Sequence, residues 1–163
     1  VSHLELDWQN PTFQTFFNSL AEHYTVVRYD RPGVGLSDRQ RESFTLEEEV
    51  ANLTELIEHL AIKQCTLLGV SCGGPPAMLY SLNHPEKVSN LVFFGSVIDG
   101  LSLGNVEIQE ALCALVEAHW GLGAKSILDL FDPNMASEER KKASKIQINS
   151  ASAAMAAKSK SSA

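Results

Sequence analysis

The sequence predicts an α/β fold in which parallel strands are flanked by helices. Three short apolar runs, at residues 25–29, 65–70 and 88–94, alternate with helical patterns. Strands that are apolar along their whole length are typical of a parallel sheet covered on both faces. The chain of 163 residues is long enough for one such domain and too short for two of ordinary size.

The first quarter of the chain predicts a helix, a strand and a loop. Apolar side chains recur at helical spacing between residues 10 and 22, which predicts a helix with one apolar face. Residues 25–29 are rich in β-branched and aromatic side chains and predict a strand. Pro32, Gly33 and Gly35 then indicate a loop over residues 30–38.

A second helix is predicted to begin after Thr45. Thr45 and Glu48 have the spacing of a capping box, in which a hydroxyl and a carboxylate satisfy unpaired backbone N–H groups. The neighbouring glutamates also lie in the first turn, where the helix macrodipole favours negative charge. We therefore interpret this acidic cluster as helix initiation.

A strand, a tight turn, a helix and a further strand are predicted between residues 65 and 94. Residues 65–70 and 88–94 are apolar and rich in β-formers, and residues 75–83 between them have a helical pattern. Beyond residue 100 the pattern is helical at residues 106–121, 123–131 and 138–148. Serine, alanine and lysine dominate residues 150–163, which predicts a frayed helix or disorder there.

Composition disfavours several classes of function. The net charge of −7 is opposite in sign to that of a typical nucleic-acid binder. The three cysteines, Cys65, Cys72 and Cys113, are widely spaced, which disfavours a disulfide framework or a zinc site and indicates the reducing cytoplasm. The longest apolar stretch, residues 91–98, is too short to cross a membrane. We therefore expect a cytoplasmic protein with no metal, no cofactor, no nucleic-acid partner and no membrane partner.

The most informative motif is G-x-S-x-G at residues 69–73, between the predicted second strand and the following helix. This is the context of a nucleophile elbow, a tight turn that projects a serine hydroxyl above the end of a strand. Ser71 is then the candidate nucleophile, and the N–H of Cys72, at the helix N-terminus, is a candidate donor to an oxyanion. The alternative is an ordinary strand-to-helix turn with an exposed serine.

Three segments resemble the α/β-hydrolase superfamily, namely residues 29–38 (YDRPGVGLSD), 67–74 (LLGVSCGG) and 84–88 (HPEKV). They are similar to the loop after the fourth strand, the nucleophile elbow after the fifth strand and the turn before the sixth strand of that fold. The order and spacing of these segments make the resemblance specific. Residues 2–8 are similar, more weakly, to the loop after the third strand.

The resemblance implies three parts: a partial α/β-hydrolase core at residues 1–100, a helical cap-like region at 101–149, and a tail at 150–163. It also implies that Ser71 is the nucleophile and that Cys72 supplies an oxyanion N–H. Asp30, Arg31 and Gly33 are implied to be structural residues of the loop beside the site.

The general base and acid of a catalytic triad are not assigned by the sequence. In the family the acid and then the histidine follow the nucleophile along the chain. Asp99 lies at a position where some relatives have the acid, but we favour its interpretation as a loop aspartate. His3 and His119 are further candidates, yet no histidine follows the serine at the expected place, so the base and acid are expected outside this chain.

Two functions remain open at this point. One is a serine hydrolase that acts on an ester or a related acyl bond, with a small acyl compound as substrate. The other is a truncated, inactive hydrolase-like module that binds a hydrophobic ligand or a partner chain. The strand expected between residues 25–29 and 64–70 would precede Val1. Open sheet edges of this kind predict pairing with a second copy or with the remainder of the fold.

Overall fold

The structure, a computed structural model, describes residues 3–38, 40–41, 43–97 and 105–145. In chain order, the elements of this part of the chain are α1 (Leu4–Asp7), α2 (Pro11–Ala21), α3 (Leu46–His59), β1 (Cys65–Val70), α4 (Gly74–Asn83), β2 (Val88–Phe94), α5 (Val106–Ala118), α6 (Trp120–Phe131) and α7 (residues 137–145). They belong to two compact units, a first unit formed by Val1–Arg41 with Gln109–Ala163 and a second unit formed by Glu42–Ile108. Asp99 and the predicted tail at 150–163 lie outside the described residues.

The second unit begins with α3, and its start confirms the prediction at Thr45. The Thr45 hydroxyl accepts a hydrogen bond from the Glu48 N–H at 3.3 Å, and the Glu48 carboxylate accepts another from the Ser43 hydroxyl. The first bond satisfies a backbone N–H that a helix terminus leaves unpaired, and the second joins two side chains. Further along α3, Val50 and Ile57 are buried and form part of the apolar face that packs against α4.

The strands β1 and β2 pair in parallel and form a two-stranded sheet. Helix α4 connects them and packs against both strands, while α3 packs on α4. The core of this unit is formed by buried side chains of the two helices: Val50, Leu53, Ile57, Ala77 and Tyr80. The predicted strand–turn–helix–strand order between residues 65 and 94 is therefore confirmed.

The other face of this sheet differs from the prediction that both faces are covered. In the register of the two strands, Leu68 lies opposite Val92, and Val70 lies opposite Phe94. All four side chains are exposed, from 37% for Leu68 to 72% for Phe94. Residues at alternate positions of a strand point to opposite faces, so these four form one apolar surface, which we call the open sheet face.

In the first unit, the structure of two segments differs from the prediction. Residues 25–29 do not form a strand, and Val27 within them is 47% exposed. A strand is held by backbone hydrogen bonds to a neighbouring strand. In the part of the chain that the structure describes, no strand pairs with residues 25–29 in this way. Residues 4–7, within the predicted opening loop, form the single turn of α1, in which the ring Nδ1 of His3 accepts from the N–H of Leu6 at 3.4 Å.

The helical region after residue 104 follows the prediction with one shift. The break between α5 and α6 is at His119, earlier than the predicted break after residue 121. His119 has an extended backbone, and its Nδ1 accepts a hydrogen bond from the Leu122 N–H at 3.2 Å. It therefore begins α6 as an N-cap, a role for which histidine is not a preferred residue.

Candidate active site

The candidate site is the turn that joins β1 to α4, formed by residues 69–74 and called here the Ser71 turn. The chain leaves β1 in extended conformation at Val70, makes a 3₁₀ turn at Ser71–Gly73, and enters α4 at Gly74. Ser71 has a φ of +51°, a value that residues with a side chain rarely adopt. Such strain persists only where the surrounding structure enforces it, and it is concentrated at functional sites.

Two hydrogen bonds to the carbonyl oxygen of Ser71 hold this strained residue. The backbone N–H of Gly74 donates to it and closes the 3₁₀ turn. The hydroxyl of Ser96, just beyond the end of β2, donates to the same oxygen at 2.7 Å. The turn is thus held both by its own helix start and by the neighbouring strand.

Close backbone packing around the Ser71 turn requires two glycines. A Cβ at Gly69 would lie 2.8 Å from the Cα of Gly74, and a Cβ at Gly74 would lie 1.7 Å from the Oγ of Ser96. A Cβ at Gly73 would meet nothing within 4 Å. The packing therefore requires Gly69 and Gly74, and it does not require Gly73.

The side chains of Ser71 and Cys72 are both exposed. Cys72 lies within the 3₁₀ turn, one residue before Gly73, the N-cap of α4. Pro75 and Pro76 occupy the first turn of α4, where a missing N–H costs little, and the helix continues to Asn83. An exposed hydroxyl next to a helix N-terminus is placed where the partial positive charge of the helix favours developing negative charge.

The candidate bases and acids from the sequence have other local roles or lie outside the described residues. His84, which was not one of these candidates, follows the last residue of α4, and its ring packs on Tyr80 with the ring centres 4.6 Å apart. The ten residues of α4 place His84 about 15 Å along the helix from the Ser71 turn, too far for a hydrogen bond. His3 and His119 are N-caps, and Asp99 is not among the described residues.

The predicted structural role of Asp30 is confirmed within its own loop. Its buried carboxylate accepts hydrogen bonds from the N–H of Leu4 at 3.2 Å and from the N–H of Leu36 at 3.1 Å. Gly35 has a φ of +57°, and a Cβ there would lie 2.1 Å from the Asp30 carboxylate. The carboxylate therefore joins α1 to the loop, and it requires a glycine at this turn.

Among the described residues, three groups have a perturbed pKa, and all three are perturbed mainly by burial. Burial raises the pKa of Cys65 and that of Tyr80 in the second unit. Burial also raises the pKa of Asp7, although the N–H of His3 at 3.4 Å and the guanidinium of Arg28 at 3.6 Å lower it. None of the three belongs to the Ser71 turn, so we assign no general base from these shifts.

Sequence reasoning missed Ser96 and Gly74. The carboxyl ends of neighbouring parallel strands lie at the same edge of a sheet. A serine that closely follows one strand could therefore have been expected near Ser71, which directly follows the other.

The described residues contain no group of three or more histidine, cysteine, aspartate or glutamate side chains placed to hold a metal ion. Within the same residues, no helix is both long and apolar enough to span a bilayer.

Known proteins resemble this chain in sequence and in fold. The family with the α/β-hydrolase fold matches residues 5–143. Over 111 residues the chain is 32% identical to a proline iminopeptidase of Lactobacillus acidophilus. The aligned segment covers 65% of this chain and 38% of that protein. Over 140 residues the chain is 30% identical to a 2-hydroxymuconate semialdehyde hydrolase of a Pseudomonas species. This aligned segment covers 81% of this chain and 46% of that protein. The chain thus spans less than half the length of these two curated relatives.

A solved structure extends the likeness to the fold of nearly the whole chain. It comes from work on carboxylesterases of the ammonia-oxidizing thaumarchaeon Nitrososphaera gargenis and superposes with a TM-score of 0.69. The superposition covers 93% of this chain and 57% of that one, at 18% identity. At this level of identity the likeness concerns the fold alone.

Proposed function

This chain belongs to the α/β-hydrolase family, and we propose that it is a serine hydrolase that acts on an ester or a related acyl bond through Ser71. The observation that carries the proposal is the backbone of Ser71. A serine at φ +51°, exposed between a strand and a helix, has the conformation that a nucleophile elbow needs.

The proposed reaction begins with attack of the Ser71 oxygen on the acyl carbon of the substrate. The serine proton passes to a general base, and the carbonyl oxygen becomes an oxyanion that accepts a hydrogen bond from the Cys72 N–H. Collapse of this intermediate expels the alcohol or other leaving group, and water then releases the acyl group from the serine. The proposal assigns the nucleophile and one oxyanion donor, and it leaves the base and the acid unassigned.

The proposed substrate class is kept broad. The curated relatives include a peptidase named for proline and a hydrolase named for a muconate semialdehyde, and these names refer to different kinds of substrate. Because fold does not determine substrate, we propose a small acyl compound and no individual molecule.

The test is acylation of this chain by p-nitrophenyl acetate, followed by peptide mass spectrometry. We expect one acetyl group on the peptide that contains Ser71, and none on that peptide in Ser71→Ala. Ser89→Ala is the control, because it removes another exposed serine hydroxyl from the same unit. Acetyl groups spread over several residues, with equal amounts in the wild type and in Ser71→Ala, would refute the proposal.

A second candidate function is supported by the open sheet face. Four exposed apolar side chains on neighbouring strands form a surface of the kind that binds another protein chain. On this alternative the chain is an inactive module that associates with a second copy. Light scattering at micromolar concentration tests it, and a monomer over the whole concentration range would exclude self-association.

A further inference from the structure

We propose that Ser96 is a positioning residue, whose hydroxyl fixes the orientation of the Cys72 N–H. The inference rests on the proposed function, in which that N–H stabilises the oxyanion. Ser96 does not touch the substrate in this proposal. It acts through the peptide group that joins Ser71 to Cys72.

The first step of the argument is the planarity of the peptide group. The carbonyl of Ser71 and the N–H of Cys72 belong to one trans peptide, in which the C=O and N–H bonds point in opposite directions. The Ser71 oxygen accepts from the Ser96 hydroxyl at 2.7 Å and from the Gly74 N–H. Two donors on the carbonyl restrict rotation of the whole plane, and they therefore restrict the direction of the Cys72 N–H.

The second step is the space that the chain leaves for the Ser96 hydroxyl. A Cβ at Gly74 would occupy this space, because it would lie 1.7 Å from the Ser96 Oγ and 2.9 Å from the Ser96 Cβ. Gly95, with a φ of +53°, turns the chain between the end of β2 and Ser96. A glycine on each side of the contact thus permits the hydroxyl of Ser96, just beyond the end of β2, to reach the Ser71 carbonyl.

The third step is the preference of the hydroxyl for this acceptor. The carbonyl of Val97 is the other acceptor of the Ser96 Oγ, but it lies at 3.5 Å, at the limit of a hydrogen bond. The contact with Ser71 is 0.8 Å shorter, the difference between 3.5 Å and 2.7 Å. The hydroxyl is therefore directed toward the strained residue rather than toward its own segment.

Ser89 provides a matched control for a purely structural role. Its hydroxyl donates to the carbonyl of Cys65 at 3.1 Å, so it also links a β2 serine to the backbone of β1. Cys65 is the first residue of β1, however, whereas Ser71 follows the last. Ser89→Ala and Ser96→Ala remove the same kind of bond, and only Ser96→Ala removes it next to the Cys72 peptide.

The first measurement does not depend on activity. We expect the backbone order parameter of Cys72, obtained from ¹⁵N relaxation, to fall from about 0.85 toward about 0.6 in Ser96→Ala. It should stay at the wild-type value in Ser89→Ala and recover in Ser96→Thr, which retains the hydroxyl. Far-UV circular dichroism verifies that each variant is folded. If a Ser96 variant does not fold, Ser96→Cys is measured in its place.

The second measurement is the rate of Ser71 acylation by p-nitrophenyl acetate over a range of ester concentrations. We expect the maximal rate to fall about tenfold or more in Ser96→Ala, since complete removal of an oxyanion donor costs about 10²–10³-fold. The half-saturating ester concentration should change little, because the N–H acts on charge that develops only in the transition state. Ser89→Ala should react like the wild type.

The two measurements separate failure of this inference from failure of the proposed function. If the wild type is not acylated at Ser71, the proposed function fails, and the order parameter alone decides whether Ser96 orients the Cys72 peptide. If the wild type is acylated and Ser96→Ala reacts like Ser89→Ala, the positioning role is refuted. An unchanged order parameter at Cys72 in Ser96→Ala refutes it in either case.

Discussion

Replacement of Gly74 by alanine is expected to destabilise the second unit, whereas replacement of Gly73 is not. The two glycines are adjacent, and both have a negative φ that alanine readily adopts, −66° for Gly74 and −79° for Gly73. They differ in position, since Gly73 is the N-cap of α4 and Gly74 its first residue, and in the space that a methyl group would occupy. This pair therefore isolates the packing around the Ser71 turn from the conformational preference of glycine.

The magnitude follows from the contacts of the added methyl group. At Gly74 it would lie 1.7 Å from the Ser96 Oγ, so the hydroxyl must rotate away and its bond to the Ser71 carbonyl is lost, at a cost of about 1 kcal/mol. Rotation does not relieve the 2.9 Å contact with the Ser96 Cβ, and overpacking of this kind costs about 1–3 kcal/mol. The better helix propensity of alanine offsets at most about 1 kcal/mol. The expected net loss is about 1–3 kcal/mol.

Urea denaturation followed by far-UV circular dichroism measures the effect. With a dependence on urea of about 2 kcal/mol per molar, a loss of about 2 kcal/mol lowers the unfolding midpoint by about 1 M. Gly73→Ala is expected to leave the midpoint unchanged or to raise it slightly, because a methyl group there meets nothing within 4 Å. Equal midpoints for the two variants would refute the packing argument.

Three further predictions concern other parts of the chain. Gly35→Ala should lower the free energy of unfolding by about 3 kcal/mol, since alanine is disfavoured at φ +57° and its Cβ would displace the Asp30 carboxylate; a urea midpoint equal to that of the wild type would contradict this. Burial raises the pKa of Asp7 above its ordinary value of 3.8, so the folded state binds the proton more tightly than the unfolded state. The free energy of unfolding should therefore fall as the pH rises from the ordinary pKa through the raised pKa of the folded state. Asp7→Asn should lack that fall, and parallel pH profiles of the unfolding midpoint would disprove the assignment. Burial also raises the pKa of the Cys65 thiol, so iodoacetamide should alkylate Cys65 more slowly than the exposed Cys72; mass spectrometry of the labelled peptides measures the order, and equal rates would be the contrary result.

Local signals in the sequence were sufficient for much of the second unit. The hydroxyl and carboxylate spacing at Thr45 predicted where α3 begins, because an N-cap involves residues three apart on one turn. The apolar run before G-x-S-x-G predicted β1, and the helical pattern after it predicted α4. The same motif also singled out Ser71, whose positive φ is a property of the turn itself.

The wrong predictions have two different physical causes. Residues 25–29 have the composition of a strand, but a strand forms only with a partner, and composition does not reveal whether one is present. His119 was expected inside a helix, yet its ring accepts from the Leu122 N–H and separates α5 from α6. No strand pairs with residues 25–29 in the part of the chain that the structure describes, whereas at His119 a hydrogen bond three residues along the chain outweighs a weak local preference.

The sequence by itself determined the family, the order of β1, α4 and β2, and the serine at the turn between strand and helix. Only the tertiary structure decided which glycine is sterically required and which side chain holds the Ser71 carbonyl. Ser71 and Ser96 are 25 residues apart, and the parallel pairing of β1 with β2 brings their strand ends together. A turn is encoded by neighbours in the chain, whereas the hydrogen bond that orients its peptide depends on the register of two strands.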